Sequence, residues 1–150
     1  MSISPDPSIN LEISSFGENA DDIRRIRQAV FVEEQGIDPK LEWDDLDATA
    51  SFVVARYETA GPVATARFFA DGKIGRMAVL KEWRNQGIGR AMLKEIIEHT
   101  TTSGRHRLHL SAQQSAISFY EKSGFCCQGD PYYEAGILHQ DMILDVIQDQ

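Results

Sequence analysis

The chain has 150 residues, 42% of them hydrophobic, which is typical of one globular domain. We place this domain at residues 11–150, after a flexible arm of residues 1–10. The 15 basic and 23 acidic residues give a formal charge of −8, which disfavours nucleic-acid binding because phosphates would be repelled. No apolar run approaches the roughly 18 residues that span a membrane, and the N-terminus lacks the features of a signal peptide, so we expect a cytoplasmic protein without membrane partners.

The N-terminal part predicts one strand and one helix. Residues 11–16 alternate weakly and predict the first strand. Asn19, followed three positions later by Asp22, is close to a capping box, so we expect a helix over residues 20–34. Its apolar face would hold Ile23, Ile26 and Val30, and we expect the arginines at positions 24, 25 and 27 to point away from that face.

A strongly acidic segment overlaps the end of this helix, over residues 33–47. It holds seven acidic residues against Lys40 and therefore carries −6 of the formal −8. Such a run is usually a solvated loop, although interleaved apolar residues such as Trp43 indicate that it packs against the domain. The alternative is an acidic wall beside a binding site, which would attract a cationic ligand.

The cysteines and acids do not match a metal site. Cys126 and Cys127 are adjacent, and neighbours in sequence seldom bridge each other, so we expect reduced thiols on or beside a strand. The acidic segment lacks the spacing and glycine turn of a calcium loop. We therefore predict no metal.

Three predicted strands in series precede the stretch with the clearest functional signal. Their patterns place them at residues 51–57, 63–69 and 73–80. A glycine-containing turn, residues 84–90, leads from the third strand into a long amphipathic helix that Gly104 ends.

The turn at residues 84–90 has the properties of an anion site. Unpaired N–H groups at a helix start add to the positive end of the helix dipole, and both attract phosphate. Gly87 and Gly89 allow close approach to the backbone, while Arg84 and Arg90 carry fork-shaped donors suited to phosphate oxygens. The alternative is that the glycines only make the bend.

Two common phosphate loops do not match this turn. A P-loop needs a Gly-Lys-Ser/Thr string after its first glycine, and none occurs. The dinucleotide fingerprint needs a third glycine or alanine where this chain has Met92. The remaining pattern is Arg-x-x-Gly-x-Gly.

The C-terminal part predicts a strand, a short helix and a final pair of strands. The strand covers residues 107–111. The helix covers residues 113–124 and closes with Gly124 as its C-terminal cap. The final strands cover residues 125–134 and 136–146.

The glycine pattern at residues 84–89 and the helix end Phe-Tyr-Glu-Lys-x-Gly-Phe at residues 119–125 resemble two motifs of the GNAT superfamily, the Gcn5-related N-acetyltransferases, in its small single-domain bacterial form. The order of elements is similar over residues 11–146. The resemblance implies an α/β (α+β) fold whose mixed, mostly antiparallel central sheet has about six to seven strands and is flanked by helices. Homodimers are common in the family, and the final hairpin would suit one.

The resemblance implies transfer of an acetyl group from acetyl-CoA to a primary amine by direct attack in a ternary complex, with CoA as a product. The acidic segment and the short chain favour a small cationic acceptor. Two rivals keep the fold: a catalytically silent acyl-CoA-binding or sensing module, and an acetyltransferase acting on lysine or the N-terminus of a protein. A third rival is an unrelated nucleotide-binding α+β domain.

The family motifs imply a cofactor site at the third strand of the series and the glycine turn. The strand would hold the pantetheine arm through its backbone, and the turn would hold the pyrophosphate. Gln113 stands where many members have an asparagine that contacts CoA. The implied cofactor-binding residues are Met77, Ala78, Val79, Arg84, Asn85, Gln86, Gly87, Ile88, Gly89, Arg90, Gln113 and Phe119.

Tyr120 matches the family's tyrosine near the cofactor sulfur, where its O–H would protonate or orient the leaving thiolate. The alternative is an ordinary packed aromatic. Some members carry a glutamate base on the central strand, but residues 73–79 hold no carboxylate here. A water chain or a residue outside the strand must then take the proton of the amine. The candidates for this base and for the acceptor site are Glu34, Glu42, Asp44 and His139.

Overall fold

One mixed, mostly antiparallel sheet organises the protein, whose computed structural model describes residues 8–146. Its strands are β1 Ile9–Ser15, β2 Ser51–Tyr57, β3 Gly61–Phe68, β4 Lys73–Val79, β5 Arg107–Gln113, β6 Cys126–Cys127, β7 Tyr132–Glu134 and β8 Ile137–Asp145. Within the described range they form an eight-stranded sheet in the order β1-β2-β3-β4-β5-β8-β6, with β7 paired to β8. The predicted arm, residues 1–10, lies mostly outside the described residues, and β1 already begins at Ile9.

Helices flank this sheet, as the predicted fold class requires. They are α1 Ala20–Arg27, α2 Pro39–Glu42, α3 Ile88–Thr102 and α4 Ile117–Glu121. α1 packs on β3 and β4, α3 packs on β2 to β4, and α4 packs on β5. The predicted α/β class is confirmed. Between residues 8 and 146, no helix combines the length and the apolar character needed to cross a membrane.

Alternation along β2 separates two cores on opposite faces of the sheet. Val53 and Ala55 face the α3 side, whereas Phe52 and Val54 face the α1 side. Burying each aliphatic side chain of α3 stabilises the fold by roughly 1.5–3 kcal/mol. The predicted apolar stripe of α3 is confirmed, since its main residues are almost fully buried: Ile88, Met92, Leu93 and Ile96.

The parallel pair β4 and β5 is short. The two strands pair only at Lys73↔His109 and Ile74↔Leu110. β5 then continues along β8, which it follows over its whole length. A wedge-shaped opening therefore separates the C-terminal halves of β4 and β5, with its apex at Ile74 and Leu110; we call it the wedge.

A β-bulge in β4 borders the wedge. Arg67 of β3 lies opposite Gly75, but Thr65, two positions earlier, lies opposite Ala78, three positions later on β4. Arg76 sits in the bulge with φ of 46°, a conformation that residues with a side chain seldom adopt. The extra residue re-aims the side chains that follow it.

The first helix confirms the predicted extent and the N-cap position of Asn19, but not the predicted capping hydrogen bond. Helical structure covers residues 20–34, as α1 followed by a π-helix over Gln28–Glu34. Asn19 makes no side-chain cap hydrogen bond. The capping-box prediction is wrong because the Asn19 side-chain oxygen instead accepts a hydrogen bond from the Arg56 guanidinium at 2.5 Å, a charged and stronger donor than a backbone N–H.

The predicted strand over residues 125–134 is wrong as a single element. The chain leaves the sheet between β6 and β7, where Pro131 lacks the N–H needed for a strand ladder. The two segments therefore pair separately with β8. Cys126 and Cys127 form β6 and are free, exposed thiols, as predicted.

Candidate active site

A groove of about 1680 Å³ follows the wedge. Its walls come from the glycine turn, β4, β5, the region around α4, the acidic segment and the β7–β8 hairpin. Three residues of the predicted site are outside its lining, namely Glu34, Asp44 and Gln86. The structure brings the others together along it: Glu42, Met77, Ala78, Val79, Arg84, Asn85, Gly87, Ile88, Gly89, Arg90, Gln113, Phe119, Tyr120 and His139.

The glycine turn is wound so that the start of α3 faces the groove. Asn85 and Gly87 have φ of 62° and 81°, left-handed values that a glycine adopts without strain. The first hydrogen bond inside the helix runs from Ala91 N–H to the Gly87 carbonyl, at 3.0 Å. The N–H groups of residues 88–90 therefore have no acceptor within the helix, as at any helix start.

Gly89 is the point where α3 meets α4. A Cβ added at Gly89 would lie 3.2 Å from Cζ of Phe119. The absence of a side chain thus lets the Phe119 ring approach the backbone of the helix start. Phe119 in turn packs edge to face on Tyr120, with ring centroids 5.0 Å apart. Packing contacts therefore run from the glycine turn through Phe119 to Tyr120.

Arg84 and Glu34, predicted for different roles, bind each other. Two guanidinium nitrogens of Arg84 donate to the two carboxylate oxygens of Glu34, both at 2.6 Å. Arg84 Nε also donates to the Val79 carbonyl, at 2.9 Å. The hydrogen bonds from Arg84 lower the pKa of Glu34, so this carboxylate stays ionised.

Gln113 is held across the open end of the wedge. Its amide nitrogen donates to Oε1 of Gln35 at 2.8 Å, the residue that follows the π-helix. The contact joins the end of β5 to the first helix.

Tyr120 lies where the groove meets the α3-side core. Its ring packs against Phe119 and Phe125, and its hydroxyl is 4.0 Å from Sδ of Met77. Burial raises the pKa of Tyr120 to about 12. The hydroxyl is therefore protonated at neutral pH and acts as a donor.

The prediction that Arg27 points away from the apolar face of the first helix is wrong. Its side chain is fully buried. Its Nε donates to Glu42 Oε1 at 2.5 Å, and its Nη1 donates to Asp47 Oδ1 at 2.8 Å. The guanidinium also lies 4.9 Å from the ring centroid of Trp43, a cation–π contact. The acidic segment wraps this buried charge.

A partly buried carboxylate of the acidic segment, Asp44, also binds arginines. Asp44 pairs with Arg67 at 2.7 Å and with Arg76 at 3.2 Å. Burial would raise the pKa of Asp44, but the hydrogen bond and charge of Arg67 hold it below its usual value. We call the set of Arg27, Arg67, Arg76, Glu42, Asp44 and Asp47 the arginine–carboxylate network; its three positive and three negative charges cancel.

Glu42 is almost completely buried within this network. Its relative exposure is 2%, and it pairs with Arg76 at 3.2 Å besides Arg27. Burial raises the pKa of Glu42 against the opposing charges of these arginines. Its role as base or acceptor contact stays a prediction, but both its oxygens already have partners.

His139 lines the groove on β8. Its Nδ1 lies 2.7 Å from the Ile137 carbonyl, which can only accept, so Nδ1 donates in this contact. The ring stacks on Tyr132, with centroids 6.1 Å apart.

Sequence reasoning missed several polar residues that line the groove, among them Arg67, Arg76, Ser111, Tyr132 and Asp141. Arg67 had a usable signal, because a charged residue between buried apolar neighbours in a central strand needs partners. Ser111, Tyr132 and Asp141 had none, since only strand register brings them together.

Comparisons with known proteins agree on one family. A family model for the acetyltransferase (GNAT) domain matches residues 21–146. The Bacillus subtilis (strain 168) protein named uncharacterized N-acetyltransferase YjcF is 31% identical over 137 residues, which cover 89% of this chain and 97% of that protein. Crystal structures of a Lactobacillus plantarum protein and of Escherichia coli ElaA have TM-scores of 0.84 and 0.80 at 29% and 25% identity. They cover 93% and 91% of this chain and 99% of each of those chains.

These matches extend over most of the chain and include both motifs that carried the resemblance. The GNAT fold and the N-acetyltransferase name of a relative 31% identical identify the protein as an enzyme. The chain belongs to the GNAT family of acetyltransferases.

Proposed function

We propose that the protein transfers an acetyl group from acetyl-CoA to a primary amine of a small cationic molecule, by direct attack in a ternary complex. The observation that carries the proposal is the continuous groove that joins the start of α3 to Tyr120 along one edge of β4. Acetyl-CoA supplies a thioester that an amine can attack and a sulfur that leaves as a thiolate.

The start of α3 fits the pyrophosphate of CoA. It offers a set of N–H donors at the positive end of a fifteen-residue helix, and such a set favours an anion. Arg90 adds a guanidinium in the first turn, on the wall of the groove. Arg84 is already bound to Glu34, so we assign it to shaping the turn as well as to phosphate attraction.

The open edge of β4 fits the pantetheine arm. Beyond Ile74, β4 has no strand partner on the side of the wedge among residues 8–146. A ligand with amide groups can hydrogen-bond to such an edge as an added strand does. Met77 and Val79 are among the β4 residues that line the groove beside this edge.

Tyr120 fits the role of proton donor and not that of base. Its raised pKa keeps the proton on Oη at the pH where the enzyme would work. A protonated hydroxyl can donate to a leaving thiolate or orient it, but it cannot take the proton of an ammonium group.

The charge that would attract a cationic acceptor does not come from the arginine–carboxylate network, whose charges cancel. Two other carboxylates line the groove, those of Glu134 and Asp141. Neither pairs with Arg or Lys within the described part of the chain. These two supply free negative charge on the acceptor side.

A panel assay tests the proposal. The protein is incubated with acetyl-CoA and polyamines, amino sugars, amino acids or lysine peptides, and free thiol is followed. We expect thiol release with at least one small cationic amine. Release with lysine peptides alone would identify a protein acetyltransferase, and CoA binding without any release would identify an acyl-CoA-binding module. A thermal shift with ATP as large as that with CoA would contradict CoA specificity itself.

Gly89→Ala should raise the Kd for CoA about tenfold. The new Cβ would lie 3.2 Å from the Phe119 ring, so the ring or the turn must move at the proposed pyrophosphate site. Titration calorimetry with CoA measures the effect. Gly17→Ala is the matched control, because its Cβ would meet open space. Equal Kd values for the two variants would remove the glycine turn from the CoA site.

A further inference from the structure

Asp141, Tyr132 and Ser111 form a hydrogen-bonded cluster on the wall of the groove, which we call the Asp141 cluster. Asp141 lies opposite Ser111 in the β5–β8 ladder, and Tyr132 reaches them from β7. The Tyr132 hydroxyl donates to Asp141 Oδ1 at 2.6 Å and also hydrogen-bonds the Ser111 hydroxyl. The proposed transfer mechanism uses none of these three side chains.

The cluster stands at the apex of the wedge. Ser111 directly follows Leu110, the last residue of β5 that pairs with β4. Leu110 and Ala112 belong to the core on the α3 side, so Ser111 faces the opposite side of the sheet. Tyr120 packs against the α3-side core. The Asp141 cluster and Tyr120 therefore border the same groove from opposite faces of the sheet.

The hydrogen-bond directions leave the cluster with acceptors only. An ionised Asp141 can only accept, so the single proton of Tyr132 goes to it. The Ser111 hydroxyl must then give its proton to the Tyr132 oxygen. The atoms left for a ligand are lone pairs on the Asp141 carboxylate and the Ser111 oxygen, so a ligand must bring N–H or O–H donors.

The carboxylate of the cluster also has no basic side chain paired with it in the described part of the chain. Asp141 pairs with no Arg or Lys between residues 8 and 146, whereas Glu42, another carboxylate of the groove, binds both Arg27 and Arg76. Asp141 is exposed, so a dissolved cation can reach it. The unpaired charge and the free hydrogen-bond acceptors thus both favour a cationic ligand that donates hydrogen bonds.

We propose that the Asp141 cluster binds the protonated primary amine of the acceptor. A primary ammonium group brings three N–H donors and one positive charge, which match the free acceptors and the unpaired charge of the cluster. The inference rests on the proposed acetyl transfer and adds the residues that select its acceptor. It makes the Asp141 cluster the recognition site for the amine.

Steady-state kinetics of Asp141→Asn test this assignment. The substitution keeps the shape of the side chain and removes its charge. For each amine of the panel that the wild type acetylates, we expect the KM for the amine to rise about ten- to hundredfold. The KM for acetyl-CoA should stay within about twofold, because the proposed CoA contacts lie elsewhere in the groove. Tyr132→Phe removes the hydroxyl that holds the Asp141 carboxylate and the Ser111 oxygen in place, so it should raise the amine KM about three- to tenfold.

Asp145→Asn is the matched control. It makes the same charge change on the same strand, but Asp145 pairs with Arg107 at 2.7 Å and lies outside the groove lining. Its amine KM should equal that of the wild type. Circular dichroism and the Tm confirm folding, and Tyr132→Phe decides the matter if Asp141→Asn does not fold.

The outcomes separate this inference from the proposed function. An unchanged amine KM in Asp141→Asn, or an equal rise in Asp145→Asn, would overturn the acceptor site while leaving acetyl transfer intact. A parallel rise in the KM for acetyl-CoA would also overturn it, since the cluster would then belong to the donor. A wild type that acetylates no amine of the panel would overturn both.

Discussion

We expect Tyr120→Phe to lower kcat for the proposed acetyl transfer by about 10²-fold and to leave the Kd for CoA nearly unchanged. The substitution removes the hydroxyl and keeps the ring that packs on Phe119 and Phe125. The contact of the hydroxyl with Met77 Sδ, at 4.0 Å, is long and weak, so its loss costs little stability. The effect therefore falls on the reaction and not on the fold or on binding.

Three measurements separate these contributions. Initial rates give kcat and both KM values, calorimetry gives the Kd for CoA, and the Tm reports stability. Tyr133→Phe is the matched control, because Tyr133 is 75% exposed and contributes nothing to the groove lining. A kcat of Tyr120→Phe equal to that of the control would leave Tyr120 as a packed aromatic.

The raised pKa of Tyr120 predicts the alkaline side of the pH profile. Its pKa of about 12 lies above the ordinary tyrosine value of about 10, so the hydroxyl stays protonated through the range in which acceptor amines lose their protons. We expect no fall in kcat from this group below roughly pH 11. The difference in tyrosinate absorbance between the wild type and Tyr120→Phe, followed against pH, checks this directly. Ionisation of the tyrosine near pH 10 would contradict it.

The elements that form the proposed donor side were predictable because their signals are consecutive in sequence. A strand, a turn with Gly87 and Gly89, and an amphipathic helix follow one another without interruption, and each has its own local pattern. The helix that carries Tyr120 has a local stop signal in Gly124. Local patterns of this kind can be recognised in the sequence because the residues that form them are neighbours along the chain.

The proposed acceptor side was not predictable because it depends on strand register. Ser111 and Asp141 meet only because β5 pairs with β8, and Tyr132 joins them only because the predicted strand over residues 125–134 breaks in two. A shift of one residue in either ladder would turn these side chains to the opposite face. No spacing in the sequence carries that information.

The Arg27 prediction failed although the pattern contained the answer. Ile23, Ile26 and Val30 define the apolar face, and position 27 completes the same i, i+3, i+4, i+7 series. Arg27 therefore had to be buried, and a buried arginine needs carboxylates. The acidic segment supplies them through Glu42 and Asp47, so these two carboxylates are buried and paired although most of the segment is exposed.

We expect Arg27→Met to lower the free energy of unfolding by about 3–5 kcal/mol. The side chain is fully buried, and it binds Glu42 at 2.5 Å and Asp47 at 2.8 Å. Methionine restores most of the apolar volume but leaves a buried carboxylate of Glu42 with less compensation. Urea denaturation of the variant and the wild type measures the loss. Arg107→Met, which breaks an exposed pair with Asp145, is the control and should leave the free energy of unfolding nearly unchanged.

Glu42→Gln in the Arg27→Met background should then recover about half of the loss or more. The second substitution removes the carboxylate that the first left uncompensated, while Asp47 keeps its ion pair with Arg67 at 3.0 Å. Additive losses in the double variant would contradict this account. They would assign the cost to the lost packing of Arg27 on Trp43, and the arginine–carboxylate network would then be a consequence of the fold of the acidic segment instead of its cause.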